Sequence, residues 1–246
     1  MLILSIETTG PYASAALADE KGIQFKTCRD DYSHLQTISP MIVSLMEEAG
    51  AKAEDLTAIA VSRGPGSFTG LRIGVATAKG FAQIWNKPIA EVPTLDSFVY
   101  ARTGLDESHL VCPIFDARRS QVYGAAFRKK AKDAGFGTVL DAETLIPESA
   151  IDLSAYLEML KGFLLPGEKA CFFGDGVARY LEQIEASGLP YVAAPEEWLL
   201  QRADNVALLG AALCAQGKLK DCYTAQPEYL RPAEAERKLK EKQQGK

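Results

Sequence analysis

The sequence predicts an α/β protein, and three observations carry that prediction. Three short strand-like runs open the chain and are followed by helix, strand, helix, strand and helix patterns, the alternation that builds α/β layers. A glycine- and proline-dense segment, Ser62 to Gly74, separates an apolar run from a helical pattern, as a strand-to-helix turn does. Apolar residues make up 47% of the 246, ample for a buried core in one large domain or two small ones.

Taken in order, Leu2 to Ile6, Ala13 to Ala18 and Ile23 to Cys28 read as strands, with turn signals at Gly10-Pro11 and Asp19 to Gly22, so they form a meander. Ser33 suits the N-cap of a helix running to Ala49. Its apolar residues Leu35, Ile38, Met41, Ile42, Leu45, Met46 and Ala49 recur at helical spacing. Pro40 lies inside that pattern and predicts a kink or a late start, because it cannot donate to the preceding turn. Thr57 to Ser62 is a fourth strand and Gly70 to Trp85 a second helix, in which Gly70, Gly74 and Ala78 recur every four residues. A small-residue row lets a neighbour approach closely. Lys87 to Val92 is a fifth strand, and Thr94 is placed to cap a helix towards Ala101.

A second half begins near Leu110. Strands are expected at Leu110 to Phe115, Val122 to Phe127, Thr138 to Ile146, Ala170 to Phe173 and Tyr191 to Ala193. Helices are expected at Ala155 to Lys161, Ala178 to Ser187 and Asn205 to Gln216. Arg128 to Gly137 reads as an exposed hairpin loop. The partition is 1–106, 107–230 and a polar tail, 231–246.

The net charge of −5 excludes a surface that attracts nucleic acid over its whole extent. The tail is the exception, with six Lys/Arg against three Glu; it suits either RNA phosphates or a solvated terminus. Cys28, Cys112, Cys171, Cys214 and Cys222 are odd in number and form no CxxC pair, which reads as reduced thiols in a cytoplasmic protein. With His34 and His109 the only histidines, soft ligands are too few for a structural zinc site. No basic-then-apolar leader and no run near 20 apolar residues is present, so neither export nor a membrane span is expected.

The segment Arg63-Gly64-Pro65-Gly66-Ser67-Phe68-Thr69-Gly70 carries the most local information. A strand feeding a tight turn and a helix start presents amide N–H groups suited to an anion or to a closely packed neighbour. A plain structural turn fits as well. Glu7, at the end of the first strand, suits either a metal-facing acid or a carboxylate that braces its own turn. Asp116, Arg118 and Arg119 follow a strand; they suit a polar partner or phosphate, or simply a charged hairpin turn. No Walker-type phosphate loop, no H-E-x-x-H and no nucleophile–base arrangement stands out.

Ser62 to Gly74 closely resembles the signature of the TsaB family, also called YeaZ. Further matches are Ile3 to Thr9, Pro93 to Asp96, Phe115 to Arg119 with Val122-Tyr123, Phe173 to Gly176, and Tyr229 to Arg231, so the resemblance spans residues 1–231. It implies an actin-like ATPase fold of two ribonuclease-H-like halves, the second reduced. It also implies a subunit that acts with the catalytic paralogue TsaD, the ATPase TsaE and an enzyme making threonylcarbamoyl-adenylate. Together these install threonylcarbamoyl on the adenosine beside the tRNA anticodon. The catalytic paralogue holds a metal through two histidines four residues apart on the first helix. Here the corresponding residues are His34 and Ile38, and one imidazole cannot build that site.

The expected role is therefore a non-catalytic scaffold with no intrinsic cofactor or metal, a nucleotide being admissible only at a subunit boundary. The resemblance implies self-dimerisation, or pairing with TsaD, through the first two helices. Leu35, Ile38, Met41, Ile42 and Leu45 are the candidates on the first helix, with Leu71, Val75, Ala78 and Ala82 on the second. The competing expectations are a stand-alone actin-like ATPase or small-molecule kinase using Glu7 and the 63–70 turn, and, last, a partner that controls TsaD abundance.

Overall fold

The computed structural model describes residues 1–29, 34–101, 108–130 and 135–231. The meander forms as expected: β1 (Ile3–Glu7), β2 (Ala13–Asp19) and β3 (Gly22–Cys28), with β2 antiparallel to both neighbours. Next come α1 (His34–Glu48), β4 (Ala58–Gly64), α2 (Phe68–Trp85) and β5 (Ile89–Pro93). The sheet order is β3-β2-β1-β4-β5, with β4 parallel to β1 and β5 parallel to β4.

The second half repeats this plan. Its elements are β6 (His109–Asp116), β7 (Gln121–Lys129), β8 (Ala142–Asp152), α3 (Leu153–Phe163), β9 (Lys169–Phe173), α4 (Gly176–Ala186) and β10 (Tyr191–Ala193). They form a sheet of order β10-β9-β6-β7-β8 with the same antiparallel and parallel pairings. The two halves are thus duplicates in topology, although no repeat is visible in the letters. The second half keeps every element and is reduced in helix length, at 11 residues in each of α3 and α4.

Central strand β1 is buried along its whole length because both faces of the first sheet are covered. On one face Leu4, Ile6, Ile59 and Val61 meet Ile38, Ile42 and Leu45 of α1 and Val75, Ala78 and Ala82 of α2. The other face receives α6 (Ala203–Ala215), which follows a short helix, α5 (Glu196–Leu199). Here Ile3, Ala58, Ala60 and Val92 pack on Val206 and Ala211, and Ala16 and Ala18 pack on Ala203 and Ala207. The residues are small because α6 lies nearly on the sheet. A Cβ on Gly210 would stand 2.4 Å from that of Ala60. Being apolar almost all round, α6 suits a site buried on most sides. The second sheet packs α3 and α4 on one face and Phe98 on the other, where its ring meets Phe115 and Phe173 at centroid distances of 5.8 and 5.3 Å.

Several expectations are corrected. The helix α6 and the segment after it, assigned by sequence to the second half, return to the first: Ala225 lies in the first core, and Ile89 and Lys220 exchange backbone hydrogen bonds of 2.8 Å. The expected boundary at 106/107, the Ser33 cap and the tail beyond Arg231 lie outside the described residues. Part of the 128–137 loop does too; β7 itself runs on to Lys129. Helix α1 is already formed at His34 and carries Pro40 on its exposed side. Thr94 caps nothing: its hydroxyl accepts from the Gly64 amide at 3.2 Å, and the helix expected after it is a short 3-10 segment, Asp96–Tyr100, whose N-cap is Leu95. The strand expected at 138–146 starts later and runs through Pro147 to Asp152, with irregular register against β7. No described helix is long and apolar enough to cross a membrane.

Candidate functional site

A cleft of about 850 Å³ opens where the two halves meet, and the duplicated topology explains its walls. In each half the turn after the first strand and the loop after the fourth strand reach the same end of the sheet. The cleft is lined by Thr9 to Pro11 and Pro65 to Leu71 from the first half. Phe115 to Arg118 and Asp175 line it from the second, and Glu228 to Arg231 from the chain's last described segment.

On the first-half side, the signature loop is stitched to the β1–β2 turn. Ser67 N-caps α2, its hydroxyl accepting from the Gly70 amide at 3.3 Å. The Ser67 amide donates to the Thr9 carbonyl at 2.8 Å, and the Thr8 hydroxyl donates to the Gly70 carbonyl at 2.7 Å. A Cβ on Gly70 would lie 1.9 Å from the Thr8 carbonyl oxygen, and one on Gly74 2.4 Å from the Thr8 hydroxyl. The row Gly70, Gly74, Ala78 therefore faces the protein's own turn and core. Gly64 and Pro65 are buried, Arg63 and Gly66 half-buried, and Ser67, Phe68 and Thr69 exposed.

Glu7 is fully buried. Its carboxylate accepts from the Thr9 amide and the Ser62 hydroxyl. Burial pushes its pKa up, against the pull of those two hydrogen bonds. The expectation of a polar contact at Glu7 is corrected: the side chain braces the turn from inside, between β2 and β4, and is closed to a metal or partner.

On the second-half side, Asp116 organises its own turn. It accepts from the Tyr180 hydroxyl at 2.7 Å and the Arg118 amide at 2.8 Å, and pairs with Arg179 at 3.2 Å. Arg118, Arg119 and Ser120 are exposed and successively left-handed, with φ of 65°, 57° and 58°. That conformation costs about 1–2 kcal/mol per non-glycine residue. Asp116, Arg118 and Arg119 thus sit together at the β6–β7 turn, Asp116 engaged and the two arginines presented to solvent.

The nine interface candidates are sorted by the fold. Ile38, Ile42, Leu45, Leu71, Val75, Ala78 and Ala82 are corrected to buried positions: each is at most 3% exposed in the single chain, and all but Leu71 belong to the core on the first sheet. Leu35 is exposed and Met41 half-buried. The outer surface of the two helices is made by the candidate Leu35, 70% exposed, together with residues that spacing did not select: Val43 and Ile84, 47% and 79% exposed, and half-buried Ile73, Phe81 and Trp85. His34 places Nε2 3.1 Å from the Gly10 carbonyl, and Ile38 is wholly buried. Among the described residues no group of three or more His, Cys, Asp or Glu is arranged to hold a metal.

The family model described as TsaD, tRNA N6-adenosine threonylcarbamoyltransferase, matches residues 30–239. The tRNA threonylcarbamoyladenosine biosynthesis protein TsaB of Bacillus subtilis is 32% identical, over 99% of this chain and all of its own length. The chain belongs to the TsaB branch of that family. The protein of the same description from Escherichia coli is 30% identical over 97% of this chain and 98% of its own. For the fold, a Pseudomonas aeruginosa crystal structure described as an uncharacterized protein with similarity to peptidase YEAZ superposes with a TM-score of 0.75. It is 24% identical and covers 94% of this chain and 99% of its own. This chain therefore shares its overall fold with that structure across nearly the whole length of both.

Proposed function

We propose that this protein works in the biosynthesis of threonylcarbamoyladenosine in tRNA as a non-catalytic scaffold for a TsaD-type catalytic paralogue. The observation that carries the scaffold role is the outer surface of α1 and α2. Leu35, Val43 and Ile84 stand out in water on two adjacent helices, flanked by Met41, Ile73, Phe81 and Trp85. Exposed apolar side chains grouped on packed helices suit a helix-to-helix partner contact. The same surface serves a homodimer when the protein is alone. A TsaE-type ATPase joins the assembly, and tRNA is the substrate of the whole.

Non-catalysis is supported by three features of the chain. Glu7 is sealed inside, the first-half turn is tied to the start of α2, and Ile38 stands where a second imidazole would be needed. Nothing in the cleft favours the kinase alternative. The test is co-expression with a TsaD-type protein, followed by native mass measurement. A stable complex, with tRNA modification only when the TsaD-type protein is present, is expected. Absence of a complex, or threonylcarbamoyl transfer by this chain alone, overturns the proposal.

A further inference from the structure

The last described residues tie the two halves together. After the Ile89–Lys220 pairing the chain runs along the first half, where the Gln226 amide donates to Glu91 at 2.6 Å and the Glu228 amide to the Arg63 carbonyl at 2.7 Å. The Tyr229 ring stacks on Phe68 at 4.9 Å, and Arg72 donates to its hydroxyl at 3.1 Å. Two residues further on, Arg231 crosses the cleft and donates to the Ala117 carbonyl in the β6–β7 turn of the second half. Gly64 is what admits this path. Its φ is +126°, and a Cβ there would stand 2.4 Å from the Glu228 carbonyl oxygen.

A second tie lies beside the first. Arg63, on β4 of the first half, pairs with Glu228 of the strap at 2.9 Å and with Glu148, on β8 of the second half, at 3.5 Å. Glu148 is largely buried, and its Oε2 has no hydrogen-bond partner. The charged groups around it are Asp96 from the 3-10 segment, Arg63 from β4 and Glu228 from the strap. One guanidinium thus pairs with a carboxyl group from the strap and one from the second half, with Asp96 close by.

We propose that residues 226–231, with Arg63 and Glu148, form a clasp that fixes the strap across the cleft and sets how far the halves open, and that the clasp loosens when Glu148 ionises. Burial first, and then the negative neighbour Asp96, push the Glu148 carboxyl up to about 7 against the pull of Arg63. A group raised on closure favours the closed form at low pH and loses that contribution as pH rises to about 7. Well below pH 7, Glu148 is mostly protonated and Arg63 is balanced by Glu228. Above that range a second negative charge enters the same pocket, next to Asp96.

The test is amide hydrogen exchange on the full chain, corrected for the intrinsic pH dependence, read at Glu228 and, as an internal control, at Ser67, whose bond stays within the first half. With one proton linked to closure, opening at Glu228 should rise about tenfold between pH 6 and pH 8.5 while Ser67 stays constant. Glu148→Gln should abolish the rise. Asp96→Asn should move it to lower pH, because the neighbour that holds the proton on Glu148 is gone. Small-angle scattering of the wild type should expand over the same range. A pH-independent Glu228 amide in the wild type, an undiminished rise in Glu148→Gln, or an unmoved midpoint in Asp96→Asn overturns the clasp.

Discussion

The Thr8 carbonyl oxygen occupies the space a Gly70 side chain would need, 1.9 Å from the Cβ position, while the Thr8 hydroxyl donates to the Gly70 carbonyl at 2.7 Å. This pair welds the β1–β2 turn to the start of α2. Of the readings the sequence left for this glycine-rich loop, an anion site, a closely packed neighbour or a plain turn, the contact favours close packing.

Gly70→Ala should therefore destabilise the fold by about 1–3 kcal/mol through overpacking against backbone. Gly80, on the outer side of the same helix, has nothing within 4 Å of the point a methyl would occupy. Gly80→Ala should instead stabilise by about 0.5–1 kcal/mol through helix propensity. Urea unfolding of the two variants separates close approach from propensity; equal effects would sink the joint.

The buried Glu7 carboxyl has its pKa raised by desolvation. Its folded form holds a proton that the unfolded chain releases, so its contribution to stability falls as pH rises above the ordinary carboxylate range. Glu7→Gln, which stays neutral, should flatten this dependence by up to about 1.4 kcal/mol per pH unit. Unfolding free energies of both proteins from pH 4 to 8 provide the check.

Ile84 and Ala78 lie on different faces of α2, 79% and 0% exposed. Ile84→Glu should abolish partner association while shifting monomer stability by less than about 0.5 kcal/mol. Ala78→Glu should prevent folding, because the charge would be buried without a partner. Calorimetric binding together with thermal melts distinguishes the two; full binding by Ile84→Glu excludes the outer face of α2 as the interface.

Arg119 holds a left-handed φ of 57° between two residues that do the same. Arg119→Gly should raise stability by about 0.5–1 kcal/mol by relieving that strain. An increased melting temperature, with the rest of the fold unchanged, is the expected outcome.

The class of most elements, and the family, were legible in the letters. Period-2 and period-3.6 patterns survive into strands and helices because they record which residues alternate between core and water. That is why the meander, α1, α2 and the small-residue row could be read. Direction could not. The row at Gly70, Gly74 and Ala78 and the stripe at Ile38, Ile42 and Leu45 report close packing without saying against what, and only the folded chain shows that they face the protein's own sheet and turn. The same limit hid the charge cluster. Arg63, Asp96, Glu148 and Glu228 are far apart in the chain and meet only because β4, β8 and the returning strap converge at the cleft. Periodicity is a local property of the chain, whereas a neighbour across a cleft is fixed by the summed geometry of everything folded between.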